Sequence, residues 1–355
     1  MKILFLPNWD VAQAEEDIKN LQSADKKITG QPYWFFKYFP ENTEVEVIDR
    51  QKNNLLHRLE VKLKFYIRQA ILAFKADKKY DAVVSHGAQS GLVYSLLRTV
   101  FGKKRPVHII IDVGGMNGGR NSKAINSAIR FALKSKPAII CHSKVINENY
   151  RQSFPDLLPR TAFIPFGVNP DEFDCIQDTE TQNFILSFGT SKRDYETLLK
   201  AWHLVDKQGI RLKIAGIEYF TSCNIDDSVD FLGKIPVSDL KDLIRKSLFV
   251  VIPLPVFNYS YGQMSFLQSM CLGKTVIVTK TPSSIDYIED RNGAFFVQPY
   301  DEQDLKNKIE MLLNDRQLLS ENNKKAASFI RANFTEQQMG EEIYKFIKSQ
   351  LQCVQ

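Results

Sequence analysis

Short apolar runs alternate with longer stretches of three- and four-residue periodicity along the whole chain, which predicts strands joined by helices in parallel sheets. The predicted strands of a first unit are Lys2–Leu6, Glu44–Ile48, Tyr80–His86, Val107–Asp112 and Ala138–His142, with helical periods at 89–101 and 122–135. The pattern lapses in the polar stretch Asp174–Gln182 and restarts at Asn183. Six further strands are predicted: Phe184–Phe188, Leu212–Ala215, Val229–Leu232, Phe249–Ile252, Thr275–Thr279 and Ala294–Val297. Helices at 194–207, 237–246, 262–272, 301–313 and 316–333 connect or flank them. Thr335 then opens a separate amphipathic helix whose apolar face holds Met339, Ile343, Phe346 and Ile347.

The expected fold class is therefore α/β, with two Rossmann-like domains facing a central cleft. Residues 1–168 form the first domain, 169–182 a linker, 183–334 the second domain, and 335–355 a helix expected to pack back on the first. Open α/β sheets bind ligands beyond the carboxyl ends of their strands, so the cleft is the expected site. A length of 355 residues agrees, because single cores stop growing at roughly 250 to 300 residues.

Composition narrows the class. Apolar residues at 44% and charged residues at 25% belong to a folded globular chain. The apolar run after Met1 ends at Pro7, too short for a signal-peptide core, and no uncharged stretch approaches the roughly 18 residues that span a bilayer. A cytoplasmic location is expected. Cys141, Cys175, Cys223, Cys271 and Cys353 are scattered without metal-ligand spacing, which argues against a disulfide framework or zinc site. The net charge of +6 is modest, and nucleic acid is not an expected partner.

The charge is uneven, however. Residues 50–79 carry nine Lys or Arg against Glu60 and Asp77 alone. Within them, 55–76 is predicted to be one amphipathic helix with a stripe of Leu56, Leu59, Leu63, Tyr66, Ala70 and Phe74. That stripe suits packing on the first sheet. Leu55, Phe65, Ile67 and Leu72 lie off it and, with the basic residues, suit an anionic membrane surface.

Several motifs in order carry a family resemblance. Ile164-Pro-Phe-Gly-Val-Asn-Pro-Asp-Glu-Phe173 resembles the segment that closes the N-terminal domain of family 4 glycosyltransferases of the GT-B fold. Leu186-Ser-Phe-Gly-Thr-Ser-Lys-Arg-Asp-Tyr195 resembles their strand and glycine loop with phosphate-binding cations, and Val229-Asp-Phe-Leu-Gly-Lys-Ile235 the strand whose following loop receives the base. Phe249–Pro253 resembles the strand before the signature, and Gly262–Ile277 the signature itself. This resemblance implies a retaining, metal-independent transfer of a sugar from a nucleotide-diphosphate sugar, with no further cofactor. The expected acceptor is lipid-linked or a saccharide, in cell-surface polysaccharide or glycolipid synthesis. One departure stands out, since the family's two Glu of the signature, eight positions apart, correspond here to Ser260 and Gln268. A non-catalytic nucleotide-sugar-binding subunit and a nucleotide-sugar epimerase are the alternatives.

Candidate site residues follow from both readings. A helix beginning near Gly262 offers free N–H groups and a positive dipole end, suited to a diphosphate, with Tyr261, Gln263, Met264 and Ser265 around it. Gln268 has donor and acceptor faces for a ribose hydroxyl. Lys192 or Arg193, after Gly189 and Thr190, is placed to stabilise a departing diphosphate. Ile235 is expected beside the base. His86 ends a strand on the cleft side, and Asp112, before a glycine-rich loop, is a candidate for orienting an acceptor hydroxyl. Gly30 is the candidate for a first-loop phosphate contact. The acidic cluster Asp286, Glu289 and Asp290 matches a structural turn of the family, and no metal is expected there.

Overall fold

The computed structural model describes residues 1–355 except 17, 19, 51–55, 115, 117–121, 174–179, 191, 222–224 and 354–355. After β1 (Lys2–Leu6), strands β2 (Ala12–Ala14) and β3 (Lys26–Ile28) pair with each other in a small parallel ribbon. Then β4 (Glu44–Val47), β5 (Ala82–His86), β6 (Val107–Asp112), β7 (Ala138–Cys141) and β8 (Thr161–Phe163) join β1 in a parallel sheet of order β4-β1-β5-β6-β7-β8. The helices of this half are α1 (His57–Leu63), α2 (Ile67–Ala76), α3 (Ala88–Val100), α4 (Lys123–Ala132) and α5 (Lys144–Ser153).

Alternation along the strands sets which layer each residue meets. Leu4, Leu6, Val83, Ile110 and Ile139 face the cores beneath α2, α3, α4 and α5. Ile3, Phe5, Val84, Ile109 and Ile140 face an aromatic layer of Tyr33, Trp34, Phe35, Phe36 and Phe39. Both faces of every central strand are covered, which explains the unbroken apolar runs.

The second sheet has β9 (Phe184–Phe188), β10 (Arg211–Ala215), β11 (Val229–Phe231), β12 (Val250–Ile252), β13 (Val276–Thr279) and β14 (Ala294–Val297), all parallel, in the order β11-β10-β9-β12-β13-β14. Its helices are α6 (Tyr195–Leu204), α7 (Val237–Lys246), α8 (Gln263–Cys271), α9 (Glu302–Asn314) and α10 (Arg316–Asn333). Strand order reverses between β1 and β5 in the first sheet and between β9 and β12 in the second, which gives each domain a switch point of its own.

The chain crosses between domains twice. Val168 and Thr335 form a β-bridge, and Val168 N–H donates to Phe334 O while Glu336 N–H donates to Val168 O. Gly167 is obligatory here: a Cβ would lie 2.1 Å from Thr335 O. The returning helix α11 (Glu336–Gln352) starts with a Thr335–Gln338 capping box. It buries Met339, Ile343 and Ile347 in the core of the first sheet, with Gly340 against Phe35 O.

Two expectations need correction. Segment 55–76 is two helices, because Lys64 adopts a left-handed conformation (φ 56°) and ends α1, and Phe65 N–H returns to Glu60 O. The expected inward stripe fails in α1: Leu59 and Leu63 are exposed, whereas Glu60 is buried and its carboxylate accepts from Arg68 N–H at 2.7 Å in the first turn of α2. Leu55 lies outside the described residues, as do 174–179 of the linker. The ribbon β2–β3, strand β8 and helix α5 have no counterpart in the sequence reading.

Candidate active site

The second domain's switch point gathers cations and a helix terminus. Gly189 follows β9 at φ 136°, a conformation side chains rarely adopt, and the Arg193 guanidinium lies against it, with Nε 2.6 Å from where a Cβ would stand. Arg193 Nε donates to Phe188 O (2.9 Å) and Nη2 to Ser265 Oγ (2.6 Å), which ties the loop to the first turn of α8. Burial pushes its pKa down, and it is fixed rather than solvated. Lys192 is exposed, left-handed at φ 55°, and holds its Nζ 4.2 Å above the Tyr259 ring. Thr190 is exposed beside them.

Helix α8 starts from Gly262 at φ 79°, where a Cβ would meet Leu254 at 2.9 Å. Gln263 Nε2 donates to Ser260 Oγ (2.6 Å) and Ser283 Oγ (2.5 Å), and Ser260 Oγ donates to His142 O (3.2 Å). The signature loop is thereby pinned to the first domain. Tyr261 is buried, with its hydroxyl bonded to Pro255 O, and Ile235 packs against the same core. Neither lines the cavity between the domains.

That cavity, of about 310 Å³, is lined by Trp9, Gln22, Ser23, Ala24, Asp25, Trp34 and His86 of the first domain and by Met264 and Gln268 of α8. Phe166–Asn169, Glu172, Phe173 and Glu336 of the crossovers complete it. Gln268 is buried, and its Nε2 donates to Gln22 Oε1 at 3.2 Å, with Asn20 and Ser238 paired further along the same contact. Glu336 is buried, receives Ser23 Oγ (3.2 Å) and pairs with Lys37 at 2.8 Å. Desolvation raises the pKa of both Asp25 and Glu336. Aromatic walls with a few converging polar groups are the make-up of a small-molecule site.

His86 ends β5 at the first switch point. Its Nδ1 lies 3.2 Å from Asn8 Oδ1 and its ring packs edge-on to Trp9, with centroids 4.7 Å apart. Burial and the nearby His142 lower its pKa to about 3, while burial lowers His142 to about 4. With Nδ1–H directed at Asn8, Nε2 of a neutral ring is left as an acceptor. His86 is therefore a hydrogen-bonding group near neutral pH, not an acid.

The structure gathers His86, Met264 and Gln268 around one cavity, with Gly189, Arg193, Gly262, Gln263 and Ser265 clustered along α8 from it. It separates two others. Asp112 is fully buried, and its carboxylate receives Gly114 N–H (2.9 Å) and Tyr150 O–H (3.1 Å), so it orders the strand end beneath the cleft instead of meeting an acceptor. Gly30 lies exposed in the turn after β3, and the loop after β1 brings Asn8 and Trp9 to the cleft instead. Asp286 caps α5 through Ser143 Oγ (3.1 Å) and Lys144 N–H (2.7 Å), a structural role.

Trp9, Asp25, Trp34, Glu172 and Glu336 escaped the sequence reading. Glu172 stands inside the motif Ile164–Phe173, and Trp9 directly follows the first strand's end, so position relative to a strand end was the available signal.

Residues 170–331 match the model of the family described as glycosyl transferases group 1. An uncharacterized glycosyltransferase of Methanocaldococcus jannaschii is 25% identical over 295 residues, 77% of this chain and 80% of that protein. Among solved structures, HepE of Anabaena in complex with UDP and glucose is similar with a TM-score of 0.70 at 16% identity, over 98% of this chain and 100% of that one. Sucrose-phosphate synthase from Thermosynechococcus elongatus gives 0.70 and 16%, over 98% of each chain.

Proposed function

We propose that this chain, which has the two-domain fold of the similar transferases and matches the glycosyl transferases group 1 model over residues 170–331, transfers a sugar from a nucleoside-diphosphate sugar to a hydroxyl, with retention and without a metal ion. The observation that carries this is Arg193, a cation locked by Phe188 and Ser265 onto the first turn of α8. A fixed guanidinium beside free helix N–H groups stabilises charge building up on a departing diphosphate, the task otherwise given to a metal ion. Lys192 adds a second, movable cation at the cleft edge.

The remaining roles follow from place. Gln268 offers its amide to the ribose, for which Gln22 now stands in. Gln263 holds Ser260 where the family carries its first Glu. His86 accepts a hydrogen bond from a sugar hydroxyl in the cavity walled by Trp9 and Trp34. UDP is the nucleotide of choice, because the similar Anabaena protein was solved with it. The acceptor is a lipid-linked or saccharide hydroxyl in cell-surface polysaccharide or glycolipid synthesis, met at the cytoplasmic face of a membrane.

A thermal-shift screen against UDP, GDP, ADP and dTDP sugars tests the donor assignment. A ligand at about 100 times its Kd adds about 2.7 kcal/mol by mass action, which raises the midpoint visibly. A rise confined to UDP sugars is expected, and no rise with any of them contradicts the proposal.

A further inference from the structure

Residues 57–136 contain 16 Lys and Arg against four Asp and Glu, while the whole chain has 47 against 41. The rest of the molecule is therefore net acidic, and the positive charge is concentrated in the stretch that builds one helical layer of the first domain. Helices α2, α3 and α4 lie side by side on one face of the sheet. Phe74 and Phe101 rings are 5.3 Å apart, Lys103 Nζ reaches Phe74 O (3.0 Å), and Thr99 Oγ1 donates to Ala132 O (2.9 Å). The turn between α1 and α2 abuts the start of α3, where Tyr66 N–H donates to Gln89 O.

On residues 57–79, 88–105 and 122–136, the part of this layer made by α1 to α4, the acidic side chains are Glu60 and Asp77, and both are buried; the neighbouring α5 adds the exposed Glu148, paired with Arg151. Asp77 is neutralised by Lys103 at 2.8 Å, and Glu60 turns inward to cap α2. The solvent face is left with cations such as Lys62, Lys64, Arg68, Lys104, Arg130 and Lys134. Among them stand large apolar side chains: Val61, Val100 and Phe101 are 63%, 61% and 66% exposed, with Leu59, Ile125 and Phe131 also out. Half-exposed leucines occur singly on any surface, but a face that pairs this many apolar groups with charge of one sign needs a matching neighbour.

We propose that this face, from α1 across α3 to α4, docks on an anionic lipid bilayer. Cations at the headgroups and apolar side chains at the acyl boundary satisfy both halves of the composition at once. A second copy of the chain would set like charges against each other. Nucleic acid would leave Val61, Val100 and Ile125 without an apolar partner. The surface differs from the single stripe expected over 55–76, since the inward face of α2 is spent on the sheet and the exposed apolar groups come from three helices. It stands independently of the donor site.

The test is co-sedimentation of the full chain with phosphatidylcholine vesicles, with and without phosphatidylglycerol, at about 0.05 M and about 0.5 M salt. One variant is Lys62→Glu/Lys104→Glu/Lys134→Glu, and a second is Val100→Ser/Ile125→Ser. All these positions are exposed, so the thermal midpoint and far-UV circular dichroism of each variant should equal those of the parent and certify folding. Expected is binding to anionic vesicles only, lost in high salt, and weakened about tenfold or more by the charge variant and less by the apolar one. Parent protein left in the supernatant at low salt overturns the proposal. So does equal sedimentation of the charge variant, or sedimentation without vesicles, which would indicate self-association.

Discussion

At the scale of single residues, Gln268 is the sharpest departure from the motif and the easiest to test. Its amide donates to Gln22, and glutamate there would lose that donor while keeping an acceptor for a ribose hydroxyl. Gln268→Glu should hold UDP affinity within about threefold, whereas Gln268→Ala should lose about tenfold, the size of one hydrogen bond to a buried group. Calorimetric titration with UDP decides, and a glutamate variant weaker than the alanine one would refute the ribose role. The buried histidines make a separate expectation. His86 and His142 have folded pKa values of about 3 and 4, below the ordinary 6.5, so the folded state favours the neutral ring. Their contribution is complete above about pH 6.5 and is lost as pH falls toward those values. Each adds a slope of up to about 1.4 kcal/mol per pH unit in that window. His86→Gln should flatten the fall in urea stability between about pH 6 and about pH 4, and an unchanged slope would remove His86 from the linkage. The places of Arg193 against the first turn of α8 and of Gln268 on the cavity wall were legible in the sequence, because each sits at a fixed step from a strand-end glycine or helix start. Asp112 was misplaced because direction was not: its carboxylate turns to Tyr150.

At the scale of elements, the strands were legible because both sheets are covered on both faces and their apolar runs are unbroken. The break between α1 and α2 was not. No glycine or proline marks it, the three- and four-residue period runs straight through, and only the inward turn of Glu60 onto Arg68 N–H reveals the stop. Lys64 carries the cost, because a side chain at φ 56° strains the backbone by about 1 kcal/mol. Lys64→Gly should therefore raise stability by roughly 0.5 to 1 kcal/mol, net of the entropy glycine adds to the unfolded chain. A higher urea midpoint is the readout, and a clear drop would show that the side chain, not the backbone, matters there.

At the scale of the whole molecule, two sheets are joined by two adjacent crossings, with Gly167 pressed on Thr335 and the signature loop tied to His142. The tandem arrangement was legible from the restart of the pattern after the polar stretch. How the crossings touch was not, since residues 167 and 335 are far apart in sequence and meet only in the fold. Gly167→Val should push the crossings apart and cost on the order of 2 to 4 kcal/mol, read as a lowered midpoint of thermal unfolding. The central assertion is that Arg193 and the start of α8 hold the donor diphosphate in place of a metal ion. UDP titrated calorimetrically into parent protein and Arg193→Ala, each with excess EDTA and again with magnesium or manganese, tests it most directly. Expected is parent affinity indifferent to chelator and a loss of about 2 to 4 kcal/mol in Arg193→Ala. Binding abolished by EDTA and restored by manganese, or an Arg193→Ala variant that binds as the parent does, would contradict it.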